Sequence, residues 1–166
     1  MTFGLLAAWS LHDLEELAAG PRWVRRSLPG LRERFPVVPE RAWRRMEAVD
    51  EREFPLAVAA VGAFVAAASA AGHVSGGRAA LYQAALNGFG LHGLVHMAQA
   101  AAVRGYTPGV ATSPLVVVPF TLWARGRLRR AGVLRLTRLR DLAVALATAG
   151  AVTVVAHAAA RRALGR

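Results

Sequence analysis

The sequence predicts an all-α fold, a multi-span transmembrane bundle of about five helices with one interfacial polar loop. Three observations predict it. Residues 54–77, 79–103, 105–124 and 142–160 contain no Asp, Glu, Lys or Arg, in runs of 24, 25, 20 and 19 residues. Each is close to the roughly 20 residues a helix needs to cross about 30 Å of hydrocarbon. A soluble, Ala-rich bundle would give each helix a charged outer face, and these runs have none. Finally, no strand alternation suggests a barrel, and a lipid-facing backbone must satisfy its own hydrogen bonds, so the spans are helical. The 166 residues form a single integral membrane domain, 1–166, in a multi-pass protein of the cell membrane.

The elements follow in order. Residues 2–19 form a first helix, short for a span and ended by Gly20-Pro21. This is no signal peptide, because a basic leader is lacking and the apolar run leads into His12-Asp13-Leu14-Glu15-Glu16 rather than a small-residue cleavage site. Residues 20–53 are a polar interfacial segment with nine Arg, six acids and four Pro. Its stretch 39–46 reads as an interfacial helix with Trp23 and Trp43 at headgroup level. Spans at 54–73 and 79–103 follow, joined by a glycine-rich loop in which His73 is solvated, and Arg78 and Arg104 bracket the second of them. Tyr106-Thr107-Pro108-Gly109 is a tight turn into a helix at 110–124 that contains Pro114 and Pro119. Residues 125–141 carry seven Arg, and a last helix covers 142–160. Five full spans would set the seven-Arg segment on the opposite side from Arg104, against the positive-inside rule. Either the helix with the two prolines re-enters, or the first helix does not span.

Charge and composition exclude other classes. All 21 basic residues are Arg, against 10 acids, for a net charge of +11. Because the Arg concentrate in the segments flanking the apolar runs, their partners are membrane lipids with anionic headgroups, and no nucleic acid. The absence of Cys excludes disulfides, thiolate metal sites and a cysteine nucleophile.

Ionisable residues inside membrane helices point to function. His12, Glu15 and Glu16 stand at i, i+3 and i+4, on one face of the first helix, with Asp13 roughly a quarter turn away. His92, His96 and Gln99 stand at i, i+4 and i+7, a single stripe on another helix. Two imidazoles at i, i+4 can grip one metal, and a carboxylate from a neighbouring helix can complete the set. Both stripes lie a few residues before their helix ends, so parallel helices would bring them to one depth. The expected metal ligands are therefore His12, Glu15, Glu16, His92 and His96. If the site forms, the Glu15 or Glu16 carboxylate should lie within about 6 Å of the His96 ring. Asn87, about 140° from His92 on the wheel, suits an interhelical hydrogen bond. His157 is a candidate further ligand or supporting group, and Tyr106 and Thr112 are placed to bring hydroxyls over the metal.

At these residues the chain resembles the HXXEE domain family of small integral membrane proteins. His12-Asp13-Leu14-Glu15-Glu16 matches the motif that names it. Asn87, His92, His96 and Gln99, followed by the Tyr106-Thr107-Pro108-Gly109 turn and Thr112, resemble the family's second block. The resemblance runs from about residue 5 to 125 and implies the site without naming a chemistry.

The donor set suits a borderline metal, zinc first and iron second, since imidazoles do not belong to a calcium or magnesium cage. Zinc on His12, His92 and His96, with Glu15 or Glu16 as general base, would make a metal-dependent membrane hydrolase of a lipid or peptide amide or ester. The two Glu could instead bridge a di-iron site of a desaturase or hydroxylase, although such sites use more carboxylates. A non-enzymatic reading is a metal- or proton-binding membrane protein, and transport by a chain this short would need an oligomer.

Overall fold

Pro21 and Pro29 do not end the first helix. A computed structural model describes residues 2–48, 52–135 and 139–165, and in it α1 runs from Phe3 to Arg34 through both prolines. The expected stop at Gly20-Pro21 is corrected by what the second half of α1 touches. Leu28 is buried, Trp23 Nε1 donates to the Tyr106 carbonyl at 2.7 Å, and Arg34 donates to the Val103 and Ala102 carbonyls at 2.7 and 3.2 Å. These contacts offset the hydrogen bonds the prolines remove. The Arg34 contacts also place a guanidinium on the carbonyl end of another helix, where orphan acceptors and the dipole favour it. Trp23 and Arg34 are separated by eleven residues, about 16 Å of helix, yet both reach residues 102–106. The second half of α1 therefore lies across that end of the bundle.

Next come α2 (Glu40–Ala48), α3 (Glu53–Val74) and α4 (Ala80–Val103), then a π-helical turn (Ser113–Val117), α5 (Val118–Arg130) and α6 (Leu139–Ala163). The described residues contain helices, turns and loops and no strand, as expected of an all-α chain. Residues 49–51 of the polar segment and 136–138 of the Arg-rich segment lie outside the described residues. Arg32 ties α1 to α2 through Glu40 at 2.6 Å and Glu47 at 3.1 Å. Trp43 of α2 is buried in the protein.

Among the described residues, two helices are long and apolar enough to cross a membrane, α3 and residues 143–163 of α6. They give the chain its support for membrane association. Packing between them uses small side chains, Ala57 on α3 against Ala156 and Ala160 on α6, which lets backbones approach closely. The larger core joins Leu5 of α1, Val65 of α3, Tyr82, Leu86 and Phe89 of α4, Val117 of the π-helical turn, and Ala124 and Leu128 of α5.

The helix expected at 110–124 starts later and runs further. Pro119 has no N–H to give Leu115, and the backbone widens locally, with the Val118 N–H reaching the Ser113 carbonyl five residues back. Gly93 of α4 receives this turn, since a Cβ there would sit 2.8 Å from Val117. Gln83 secures the far end, donating to the Gly77 and Val133 carbonyls and accepting from the Arg135 N–H.

Candidate metal centre

α1 and α4 present their two stripes to one another. His12, Glu16, His92 and His96 each offer a donor atom, and these atoms lie within 4.8 Å of one another. Bonds of about 2.1 Å keep the ligands of one ion within about 4.2 Å, so the set is close to a coordination sphere. The three imidazoles stack edge to face, with centroids 5.1 Å apart for His12–His92, 5.0 Å for His12–His96 and 4.3 Å for His92–His96. His92 Nε2 and His96 Nε2 are 2.9 Å apart, and Glu16 Oε1 is 3.2 Å from His96 Nε2. The carboxylate expected within reach of the His96 ring is there, and it is Glu16.

Glu15 stands beside this group and is held elsewhere. Its Oε1 accepts from the Tyr106 hydroxyl at 2.8 Å and the Ala111 N–H at 3.2 Å. Its Oε2 accepts from the Thr112 N–H at 2.8 Å and the Thr112 hydroxyl at 2.6 Å. Because that hydroxyl spends its proton on Glu15, its lone pair is left for His12, whose Nδ1 lies 2.7 Å away. Nδ1 then carries the ring proton and Nε2 presents a lone pair. His12 Nε2 is buried and has no hydrogen-bond partner. A carboxylate acting through a hydroxyl on the far nitrogen of a histidine fixes the tautomer and orientation that a metal ligand needs.

The Tyr106–Gly109 turn is more than a connection. Gly109 has φ +84°, and a Cβ on it would lie 2.8 Å from His96 Cε1 and Nδ1 and 2.9 Å from His12 Cε1. Only glycine lets the backbone pass this close to both rings. The Ser113 hydroxyl donates to the Gly109 carbonyl at 2.7 Å and holds the turn in place. Partial desolvation, then the hydrogen bond to Glu15 and that group's charge, push the Tyr106 phenol up to about 12, so it remains a donor.

The other expected supporting residues go elsewhere. Asn87 accepts from Arg125, the interhelical bond its position suggested. His157 pairs with Glu53, Nδ1 to Oε1 at 2.8 Å, and Arg161 donates to the same oxygen at 2.8 Å. Gln99 is exposed, as is His73, whose ring stacks against Phe3.

Two features escaped the sequence reading. A cavity of about 290 Å³ lies among α1, α3, α4 and α6, and Glu16 and His92 line it. Asp13, also on its wall, is buried, and its Oδ2 has no hydrogen-bond partner. The signal was present: Trp9, Asp13 and Glu16 stand at i, i+4 and i+7 and all face the cavity. Gly109 had no comparable signal, since its contact with two rings depends on the tertiary path of the turn.

The cluster could hold a divalent metal through its His and Glu donors. No curated protein and no solved structure matches the chain. Residues 3–124 match the family described as "Protein of unknown function with HXXEE motif", a stretch that covers the motif on α1, the histidine pair on α4 and the turn that follows α4, and the chain belongs to that family.

Proposed function

We propose that this protein is a multi-pass membrane hydrolase that uses one zinc ion to cleave an acyl amide or ester. The observation that carries the reading is the position of Glu16 and His92, which belong both to the donor cluster and to the wall of the cavity. A compound in the cavity would therefore meet the metal site directly. His12, His92 and His96 are the ligands, three imidazoles with one position left for the reaction, as in catalytic zinc sites. A zinc ion there would supply Lewis acidity to the carbonyl and acidify a water molecule. Glu16 is the general base, because Glu15 has both oxygens engaged by Tyr106, Ala111 and Thr112. Water adds to the carbonyl carbon while Glu16 takes its proton. Glu16 returns that proton to the leaving nitrogen or oxygen as the C–N or C–O bond breaks. With Glu15 committed, the two bridging carboxylates of a di-iron centre are not on hand, which favours the mononuclear reading.

The membrane reading has support of its own. Only 22% of the α3 span and 17% of the α6 span are buried, unlike the core helix of a soluble protein. Leu11 and Leu14 of α1, Leu94 of α4, Leu115 and Leu122 beyond the turn and Val154 of α6 all face outward, as lipid-facing residues do. The Arg-rich end of α1 and the Arg of α5 would lie against anionic headgroups.

Metal analysis of protein purified without chelators should find about one zinc per chain, falling sharply in His92→Ala and His96→Ala. Glu16→Gln should keep the metal and lose about 10²- to 10⁴-fold in turnover of acyl amides or esters. A wild type free of metal would sink the proposal.

A further inference from the structure

The cavity has a second polar wall. His157 of α6 lines it together with Glu16 and His92. Its Nδ1 lies 2.8 Å from Glu53 Oε1, and Arg161 Nη1 donates to the same oxygen at 2.8 Å. Glu53 is 2% exposed and stands in the first turn of α3, where the helix dipole favours a carboxylate. A carboxylate paired with arginine only accepts, so Nδ1 is the donor. Arg161 already matches the charge of Glu53, and a neutral imidazole that donates from Nδ1 presents a lone pair on Nε2. Among the described residues His157 makes no other hydrogen bond. Its side chain is 19% exposed, and Nε2 is accessible. A fixed acceptor without a donor therefore stands on the cavity wall.

Its height in the bundle suits a head group. Phe54, next to Glu53, packs over Gly20, where a Cβ would lie 3.4 Å from its ring, and its centroid is 6.5 Å from that of His157. Gly20 is four residues beyond Glu16 on α1, about 6 Å along the axis. His157 thus stands about one turn beyond Glu16, at the end where α3 begins and the Arg-rich polar segment stops. Phe64 and Val65 line the cavity eleven and twelve residues further along α3, about 16 Å deeper. A compound lying along this path keeps its head at the membrane surface and its tail in the bilayer, as an amphiphile does. An ammonium head would meet Arg161, which shares the Glu53 oxygen with His157, and be repelled. A hydroxyl donates without bringing a charge.

We infer that the cavity takes an acyl lipid whose head carries a hydroxyl group, the hydroxyl donating to His157 Nε2 while the acyl carbonyl lies beside Glu16 and His92. Glu53 and Arg161 position the imidazole, and the head contact is separate from the bond that is cleaved. This names the substrate class of the hydrolase proposed above and rests on that reading for turnover, whereas binding needs no metal.

The test is binding to full-length protein in phosphatidylcholine nanodiscs, with chelator present so that metal plays no part. The probes are the hydroxyethyl and methoxyethyl esters of one dibrominated stearic acid, which differ by the methyl group that removes the donor. Trp9 lies on the cavity wall, so bromine quenching that Trp9→Phe removes reports occupancy. Affinities are compared per mole fraction of probe in the bilayer. The hydroxyethyl ester should quench saturably and bind about three- to tenfold tighter than the methoxyethyl ester. In His157→Phe, which keeps a ring beside Phe54 and loses the acceptor, the two esters should bind alike. Solid-state NMR of the histidine ring nitrogens, with His157→Phe to assign the signal, should show Nδ1 protonated and Nε2 bare in the wild type. The hydroxyethyl ester should then shift the Nε2 signal. Quenching that does not saturate, equal affinity of the two esters in the wild type, an undiminished difference in His157→Phe, or a proton on Nε2 would overturn the inference. None of these results bears on metal content, so a failure here is separable from a failure of the zinc reading.

Discussion

Gly109→Ala tests the site at the place where backbone and ligands meet. A methyl group there would lie 2.8 Å from two atoms of the His96 ring and 2.9 Å from His12 Cε1. Ordinary carbon contacts are about 3.5–4.0 Å, so both rings would have to retreat by more than about half an ångström. Metal ligands tolerate only about 0.2 Å. The backbone adds strain, because φ is +84° and an Ala held there costs about 1–2 kcal/mol. Overpacking adds about 1–3 kcal/mol. The backbone strain is common to the empty and the loaded protein and lowers folding stability, whereas the clash with the ligand rings falls on the loaded state. At 1.4 kcal/mol per decade its share of about 1–3 kcal/mol corresponds to a loss of roughly 5- to 150-fold in metal affinity. The assay is competition of the purified protein against a chromophoric zinc chelator, with circular dichroism to check helix content. Gly150→Ala on α6 is the control, since nothing lies within 4 Å of its added Cβ; it should bind zinc like the wild type. Wild-type affinity in Gly109→Ala would refute the argument that the turn packs directly on the ligand rings.

Thr112→Val should weaken zinc binding by about 10- to 100-fold by releasing His12 and Glu15 together, and Thr112→Ser should restore it; equal loss in both variants would mean the hydroxyl is not the link. The absorbance difference between wild type and Tyr106→Phe should show a phenol titrating near 12. The sign follows from linkage: the folded protein holds this proton between about pH 10, the unfolded value, and 12, so the Tyr106–Glu15 contribution is full below pH 10 and lost as pH rises through 12. A phenol titrating near 10 would place Tyr106 away from Glu15. Glu53→Ala should destabilise the protein by about 1–3 kcal/mol. That is less than the loss of a fully buried pair, since Arg161 is half-exposed and screened. Chemical denaturation would measure it, and an unchanged midpoint would mean that the Glu53–His157–Arg161 cluster holds α3 to α6 only weakly.

Periodicity made the site legible because its parts are local. His12 and Glu16 share a helix face by spacing alone, as do His92 and His96, and the Tyr106–Gly109 turn announces itself by composition. Which of two adjacent carboxylates would face the histidines was not legible. Glu15 and Glu16 differ by 100° on the wheel, and both directions lead to polar partners. The choice is made by Thr112, Ala111 and Tyr106, nearly a hundred residues away. The length of α1 was misjudged for a similar reason. Gly20-Pro21 is a local stop signal, and it was overridden by long-range contacts of Trp23, Leu28 and Arg34. Asp13 lies off the face that contains His12, and its spacing from Trp9 and Glu16 marks a second face that borders the cavity.

The long first helix explains why the two groups converge with such close tolerance. Its first half carries His12 and Glu16 into the cluster and Asp13 and Glu16 into the cavity wall. Its second half grips the end of α4 through Arg34 and the start of the turn through Trp23. That turn carries Gly109, which packs on His12 and His96, and leads into Thr112, through whose hydroxyl Glu15 orients His12. One continuous element thus supplies donors and also fixes the loop that positions them. A site of this kind needs its supporting contacts on rigid elements to hold ligands within a few tenths of an ångström. Had α1 ended at Gly20, the turn would be tied to the helix only at the site itself, through Glu15 and His12, without the anchors of Trp23 and Arg34.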